Sequence, residues 1–449
     1  MKENDSLLKK ILKSFTKQEG LDDLLTMSEH CNGYKRENAV RRLGMLGNPV
    51  AIPKLIARVN DWVPQVRNAA RESLEKLLKN ENAEAFIYSL PYLYHLKNCG
   101  RDDHKILIEK ITNFLLKPEN NSYIKSAIKN DDPNIARIAI KLCIENPLID
   151  KHELVSECLS HSDVIVRIIA SNLLNNFTGE ILESFLRKAI QDQFMPIRRE
   201  AFQIYLKSFP AQGLNLAKNF LFDKHISIRE IAIKNLLKTE INVEKILSNT
   251  LSSADQNALK TRCAILGLAY LDAKQSVPII INFATHRVPS IKKATLQALA
   301  KLISEESRSY LLEGVKDEYL SVAKESAYLL NKLNMNLSVD ELLAITEITH
   351  YPHTLIVCIS ASRKINKWDR LIFILSLYKL SILKNSANAK ILDKELSHWD
   401  LIFNCSSQQP SQTQVERLNY EYNQFKLLFS EGRFRSLLDF TMKGYGIYV

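Results

Sequence analysis

The chain has 449 residues, of which 46% are hydrophobic and 25% are charged, a balance that is typical of folded proteins and excludes global disorder. With only 12 glycines and 13 prolines, it holds too few turn-forming residues for a large all-β fold, so helices are favoured. The formal net charge is +11, and residues 201–300 hold 13 basic against 6 acidic residues, so the positive charge is concentrated in one block.

The seven cysteines are scattered and form no C-x-x-C pair. This spacing fits neither a disulfide framework nor a zinc knuckle, so we expect reduced thiols. The opening "MKENDSLLKK" has no sustained apolar run, which argues against a signal peptide, and the apolar run "LIFILSLYKLSIL" (371–383) is too short to span a bilayer. We therefore expect a cytoplasmic protein that needs no cofactor and does not enter a membrane.

Residues 1–33 contain two short amphipathic segments, "LLKKILKSF" and "LDDLLTM". Helices of this kind cover the apolar face that the first unit of a repeat array would otherwise expose. We predict an N-terminal helical cap over residues 1–33.

Between residues 34 and 335 a basic residue recurs in a constant frame. In "DWVPQVRNAARESL" an aliphatic residue precedes Arg67, and Ala70 and Leu74 follow three and seven residues later. A second amphipathic segment precedes each basic residue, so the unit is helix A, a short turn and helix B. The steps are 30 to 32 residues, except one of 70 that holds a diverged repeat, and this period predicts a solenoid. The basic residues are Arg36, Arg67, Arg137, Arg167, Arg198, Arg229, Lys260, Lys292 and Lys324.

The stretch "RENAVRRLGMLGNPVAIPKLIARVNDWVPQVRNAARESLEKL" resembles HEAT repeats and is similar to the short bacterial HEAT-like type also seen in phycobilisome lyases. The resemblance covers about residues 34–335. It implies an all-α fold, an α-solenoid (superhelix) of about ten helix pairs, with helix B lining the concave face. It implies no particular activity, because such repeats serve unrelated functions.

An aspartate stands six residues before four of the basic residues. In HEAT arrays an aspartate and an arginine at these positions link neighbouring repeats, so the resemblance implies a structural ladder. A carboxylate at a helix N-terminus accepts backbone N–H groups, and a bond to an arginine of the next layer fixes the orientation of a repeat. Where lysine replaces arginine, the planar guanidinium that can bind a carboxylate through two nitrogens is lost, and we expect a looser or differently curved array there. The predicted ladder residues are Asp61, Arg67, Asp131, Arg137, Asp192, Arg198, Asp223 and Arg229.

After residue 335 the period fades. Ser338 with Glu341, and Ser411 with Gln414, predict capping boxes that begin helices. Residues 336–449 are predicted to be a helical C-terminal region, either degenerate repeats or a cap.

The sequence shows none of the catalytic or phosphate-binding motifs sought, and its histidines do not stand at metal-ligand spacing. We therefore expect neither catalytic nor metal-binding residues. DNA alkylation-repair glycosylases are an enzymatic alternative, because they resemble stacked HEAT-like repeats and use aromatic, acidic and basic residues on the concave face. Trp62 beside Asp61 and Trp368 beside Asp369 suit such a site, although the motifs of that family do not match residue by residue.

The basic block at residues 218–293 offers a second kind of surface. Lys234, Lys238, Arg262 and Lys293 stand shortly after ladder positions and are the candidates for a basic groove. Clustered cations bind phosphate backbones with little sequence reading. A solvated face that supplies solubility is the favoured explanation of the same residues, because the block is rich in lysine, poor in arginine and has few aromatic residues among its cations.

The leading hypothesis is a non-enzymatic scaffold or adaptor that binds a macromolecular partner on its concave face, with protein favoured over nucleic acid. The alternatives are a nucleic-acid-binding protein that uses residues 218–293 and the glycosylase. Trp62 is the candidate contact outside the basic block, because other repeats place smaller or polar residues at its position, such as Asp132, Gln193 and Lys224. Neither the partner nor the oligomeric state follows from the sequence.

Overall fold

The computed structural model describes residues 20–253, 257–349, 351–378, 386–428 and 433–445. Over these ranges the chain forms 27 α-helices with short 3₁₀ turns, and no β-strand. The predicted all-α solenoid is confirmed. The segment "LLKKILKSF", predicted as part of the N-terminal cap, lies outside the described residues.

The chain divides into two compact units, residues 1–213 and 214–449. This division falls within a helix of the array, and the boundaries at 33/34 and 335/336 stay predictions. The helices of unit 1 are α1 (Leu21–Met27), α2 (Gly33–Leu46), α3 (Ile52–Arg58), α4 (Pro64–Leu77), α5 (Ala83–Tyr88), α6 (Leu90–His95), α7 (Lys105–Leu115), α8 (Asn121–Ala127), α9 (Pro133–Glu145), α10 (Lys151–Cys158), α11 (Val164–Asn172), α12 (Gly179–Ala189) and α13 (Met195–Ser208).

Helix α14 (Pro210–Phe220) contains the division between the units. The helices that follow it in unit 2 are α15 (Ile226–Leu236), α16 (Val243–Ser252), α17 (Ala258–Tyr270), α18 (Val277–Ile281), α19 (Pro289–Leu302), α20 (Arg308–Val315), α21 (Leu320–Lys332), α22 (Val339–Ile348), α23 (Pro352–Ser362), α24 (Lys367–Leu377), α25 (Ser386–Ile402), α26 (Gln412–Leu428) and α27 (Arg433–Gly444).

The core lies between the B helices of successive pairs. Helix α2 packs on α4 in unit 1, and α17 packs on α19 and α19 on α21 in unit 2. The spacing of apolar residues around Arg67 explains this packing, because Val66, Ala70 and Leu74 are all fully buried. Small side chains let the helices approach closely, since a Cβ atom on Gly44 would lie 2.9 Å from the Cα atom of Ser73.

The C-terminal helices of unit 2 share one buried aromatic centre. Trp368 on α24 and Trp399 on α25 are both enclosed, with ring centroids 6.1 Å apart in an edge-to-face arrangement. The capping box at Ser338 and Glu341 is present at the start of α22. None of the described helices combines the length and apolar character needed to cross a membrane.

Candidate functional site

A buried ion pair joins the first two complete helix pairs of unit 1. Arg36 on α2 donates from Nε to Asp61 Oδ2 at 3.0 Å and from Nη2 to Asp61 Oδ1 at 2.8 Å. Its Nη1 donates to the backbone carbonyls of His30 and Cys31 at 2.8 and 2.9 Å. One guanidinium therefore ties the turn of its own pair to the turn of the next pair, and both side chains are buried.

Asp61 is held in its ionised form by these contacts. Burial acts to raise the pKa of its carboxyl, but hydrogen bonds from Arg36 and from the Val63 N–H outweigh burial, so the pKa is lowered. Arg58 adds a further contact at 3.2 Å. Asp61 is saturated by donors and has a structural role in this arrangement.

The same contact recurs along each unit, 25 or 26 residues from donor to acceptor except for Arg67–Asp102, which spans the diverged repeat and is 35 residues apart. The arginine comes from the pair that precedes the aspartate, rather than from the next layer as the sequence suggested. The aspartate six residues before an arginine offers that arginine its backbone carbonyl, as Asp61 does to Arg67 (2.9 Å), Asp192 to Arg198 (2.7 Å) and Asp223 to Arg229 (2.9 Å). The ion pairs are Arg67–Asp102 (3.1 Å), Arg137–Asp163 (2.7 Å), Arg167–Asp192 (2.7 Å), Lys292–Asp317 (2.6 Å) and Arg370–Glu395 (2.9 Å).

Asp131 is not a ladder residue, and the prediction was wrong there. Its side chain is exposed, and Arg137 binds Asp163 instead. The carbonyl oxygen of the Asn130 side chain accepts the N–H of Asp132, the role that Asp61 plays for Val63. The physical reason is register: α9 begins at Pro133 as α4 begins at Pro64, so Asp131 aligns with Trp62.

Of the three lysines aligned with the arginines, only Lys292 occupies the buried ladder position. Lys260 and Lys324 are exposed, and Thr261 and Ala323 are buried in their place. Lys292 is buried, its ammonium group binds Asp317, and it lies 5.3 Å from the centre of the Tyr319 ring.

Trp62 lies over the Arg36 guanidinium, whose central carbon is 5.5 Å from the centre of the indole. The side chain is nevertheless 68% exposed. Beside it is an open cleft of about 400 Å³ that Tyr92, His95 and Arg101 also line. The indole thus contacts the ladder and still presents a large apolar surface to solvent.

Exposed apolar residues recur next to the turn that precedes helix B, or in the first turn of that helix, and we call this set the turn edge. Sequence reasoning found only Trp62. The sequence signal that would have identified the others is a large apolar residue just before helix B or at its start, at a position that does not belong to the buried face of the helix. Within residues 34–335 the turn edge comprises Tyr34, Trp62, Ile106, Ile165 and Phe194 in unit 1, and Ile226, Leu259, Tyr319 and Leu320 in unit 2.

The structure separates the four basic candidates into two groups. Arg262 and Lys293 line a groove of about 380 Å³ in unit 2, which we call the basic groove, together with Lys224. Lys234 and Lys238 are exposed at the C-terminal end of α15 and are not part of this lining.

Two of the residues that suggested a glycosylase, Trp368 and Asp61, have structural roles. Trp368 is fully buried and its indole N–H donates to the Gln408 carbonyl at 2.8 Å, and Trp399 is buried beside it. The carboxylate of Asp61 forms an ion pair with the guanidinium of Arg36. Within the described ranges no group of His, Cys, Asp and Glu is placed to hold a metal ion.

Two family models match parts of the chain. Residues 243–331 match the model described as HEAT repeats, and residues 35–61 match the model described as PBS lyase HEAT-like repeat. Together with the helix pairs, these matches place the chain in the class of α-solenoid repeat proteins. Residues 35–61 and 243–331 therefore carry HEAT-like repeats, in agreement with the resemblance read from the sequence.

Several solved structures are similar to the chain at low identity, and no curated protein matches it. An engineered protein is 14% identical over 77% of this chain and 99% of its own, with a TM-score of 0.22. The complex of CpcE and CpcF of phycocyanin lyase from Nostoc sp. PCC7120 is 17% identical over 55% of this chain and 94% of its own, with a TM-score of 0.27. The Kap95p structure with RanGDP is 12% identical over 93% of this chain and 71% of its own, with a TM-score of 0.39. Similarity at these levels says nothing about function.

Proposed function

We propose that the chain is a non-enzymatic scaffold that binds a partner protein along the turn edge and the adjoining face of the B helices. The observation that carries the proposal is the recurrence of exposed large apolar residues in the turn before helix B, or in its first turn, in most of the helix pairs. Residues 1–33 and 336–449 are then end regions that flank the array of residues 34–335.

A protein partner fits the chemistry of the turn edge in unit 1. Tyr34, Trp62 and Phe194 are aromatic, and aromatic side chains dominate the energy of protein interfaces because they bury a large area at a low entropic cost. Apolar residues scattered singly need no explanation, whereas a set that recurs within one short region of most helix pairs supports an interaction surface. Affinity then comes from several shallow contacts rather than from one enclosed pocket.

Trp62 is the residue expected to contribute most. Its indole is already fixed on one side by Arg36, so little conformational freedom is lost when a partner covers the other side. The ladder therefore serves the proposed function by holding the largest exposed ring in place.

The test is co-purification from the native host with tagged full-length protein. We expect a partner protein to be retained by the wild type and lost from the variant Trp62→Ala/Phe194→Ala. Met45→Ala is the matched control, because Met45 is 73% exposed but lies near the opposite end of α2. Thermal melting of all three proteins shows whether the fold is retained.

Equal retention of the partner by the wild type and by the Trp62→Ala/Phe194→Ala variant would place the contact elsewhere. Loss of the partner from the Met45→Ala control as well would show that the effect is not specific to the turn edge.

A further inference from the structure

The basic groove combines cations from three successive B helices. Lys224 precedes α15, Arg262 lies in the second turn of α17, and Lys293 lies in the second turn of α19. The lining of the groove, which lies wholly within the described residues, contains no carboxylate. The positive ends of the three helix dipoles add to the positive potential of these side chains.

The positive electrostatic potential of the groove extends to the buried residues beneath it. Arg229 is buried at its base and donates to the Asp223 carbonyl at 2.9 Å. Burial raises the pKa of the Cys263 thiol, while the charges of Arg229 and Arg262 oppose that rise. Two neighbouring acids moderate the charge of the groove: Lys293 Nζ lies 3.5 Å from Glu325 Oε2, and the charge of Asp223 acts on the pKa of Cys263 in the opposite direction to Arg229 and Arg262.

Apolar side chains lie between these cations. Ile226 is 55% exposed, and Leu266 and Ala294 also line the groove. The lining holds no phenylalanine, tyrosine or tryptophan on which a nucleic-acid base would stack. Mixed cationic and apolar lining is complementary to a peptide with acidic and apolar side chains, rather than to a bare phosphate backbone.

We infer that the basic groove binds an acidic peptide segment of the partner protein, with carboxylates at Arg262 and Lys293 and an apolar side chain against Ile226 and Leu266. The inference rests on the proposed function for the class of partner. It is tested separately, because the groove lies in unit 2 and the variants that test the turn edge lie in unit 1.

The experiment measures binding of a short fluorescein-labelled peptide of glutamate pairs alternating with leucine to the full-length protein. Arg262→Gln/Lys293→Gln is expected to weaken binding about tenfold. Lys234→Gln/Lys238→Gln is the matched control, because it removes the same charge from the same block outside the groove, and it should bind as the wild type does. A peptide with serine in place of leucine should bind more weakly than the leucine peptide.

Equal weakening by the two double variants would overturn the inference, because binding would then follow net charge alone. Tighter binding of a labelled duplex DNA than of the peptide, with a steep loss in salt, would also overturn it in favour of a nucleic-acid surface. The Trp62→Ala/Phe194→Ala variant should bind the peptide normally, so failure of the turn edge and failure of the groove are distinguishable.

Discussion

Arg36 is almost fully buried, yet each of its three guanidinium nitrogens donates a hydrogen bond. A charge in this position is tolerated because its partner Asp61 is ionised and equally enclosed. Removal of one member leaves the other buried without its counter-charge, which costs far more than the pair contributes as a whole.

Asp61→Ala should therefore lower the free energy of unfolding by about 3 kcal/mol, because it leaves Arg36 buried without a carboxylate. Urea unfolding followed by circular dichroism measures the loss.

Asp131→Ala is the control for this prediction. Asp131 is exposed and one residue out of register, so its substitution should change stability by less than about 0.5 kcal/mol. Similar losses for the two variants would contradict the assignment of the ladder.

The ladder also predicts how stability depends on pH. The pKa of Asp61 is lowered from its ordinary value of 3.8, so below that value the unfolded chain binds more protons than the folded one. Its contribution is present above about pH 3.8 and is lost as the pH falls further. The unfolding free energy of Asp61→Asn should thus fall less steeply with acid than that of the wild type, and equal slopes would contradict the shift.

The residue pattern predicted that a ladder exists but not which residues complete it. The sequence shows an aspartate six residues before an arginine, whereas the ion pair joins residues about 25 apart, as in Arg36 and Asp61. Asp131 satisfied the six-residue spacing by coincidence, since Arg137 stands one residue later in its helix than Arg67 does. Arg370 and Glu395 keep the 25-residue separation beyond residue 335, which supports degenerate repeats there.

At the scale of the element, close contact between B helices depends on small residues. Gly44 on α2 faces Ser73 on α4, whose hydroxyl donates to the Val40 carbonyl at 3.1 Å. Gly314 on α20 faces Ser326 on α21 at a similarly close contact, here between the A and B helices of one pair. Such contacts leave no room for an added methyl group.

Gly44→Ala should destabilise the protein by about 1–3 kcal/mol, although alanine is the better helix former, because the new Cβ atom would lie 2.9 Å from the Ser73 Cα atom. Thermal melting measures the effect. Gly100→Ala is the control, since no atom lies within 4 Å of its added Cβ atom. A neutral or stabilising effect of Gly44→Ala would show that α2 and α4 pack less tightly than described.

The helix pairs and the all-α solenoid were predictable because the hydrophobic pattern is repeated in every helix, so an irregular residue in one helix does not obscure it. The exact register was not. Lys260 and Lys324 lie one residue from the buried positions that Thr261 and Ala323 fill, and a period that varies between 30 and 32 residues cannot resolve such a shift. The turn edge was missed for a related reason, because exposed apolar residues resemble core residues in a one-dimensional pattern.

At the scale of the whole molecule, stability should be distributed by nearest-neighbour contacts, as in other repeat arrays. Asp61→Ala is expected to speed hydrogen exchange in α2 to α4 of unit 1 and to leave α19 to α21 of unit 2 unchanged, as read by mass spectrometry of the full chain. Faster exchange throughout both units would indicate one cooperative structure instead.

The central claim is that the array binds a partner protein along a repeated surface rather than in a single pocket. Hydrogen exchange of the full chain, alone and with its co-purified partner, tests it most directly. The account predicts protection at the turn edge of several pairs in unit 1, around Tyr34, Trp62, Ile165 and Phe194, with the opposite ends of the same B helices unprotected. Protection confined to one pocket, or absent from the turn edge while the partner is bound, would contradict it.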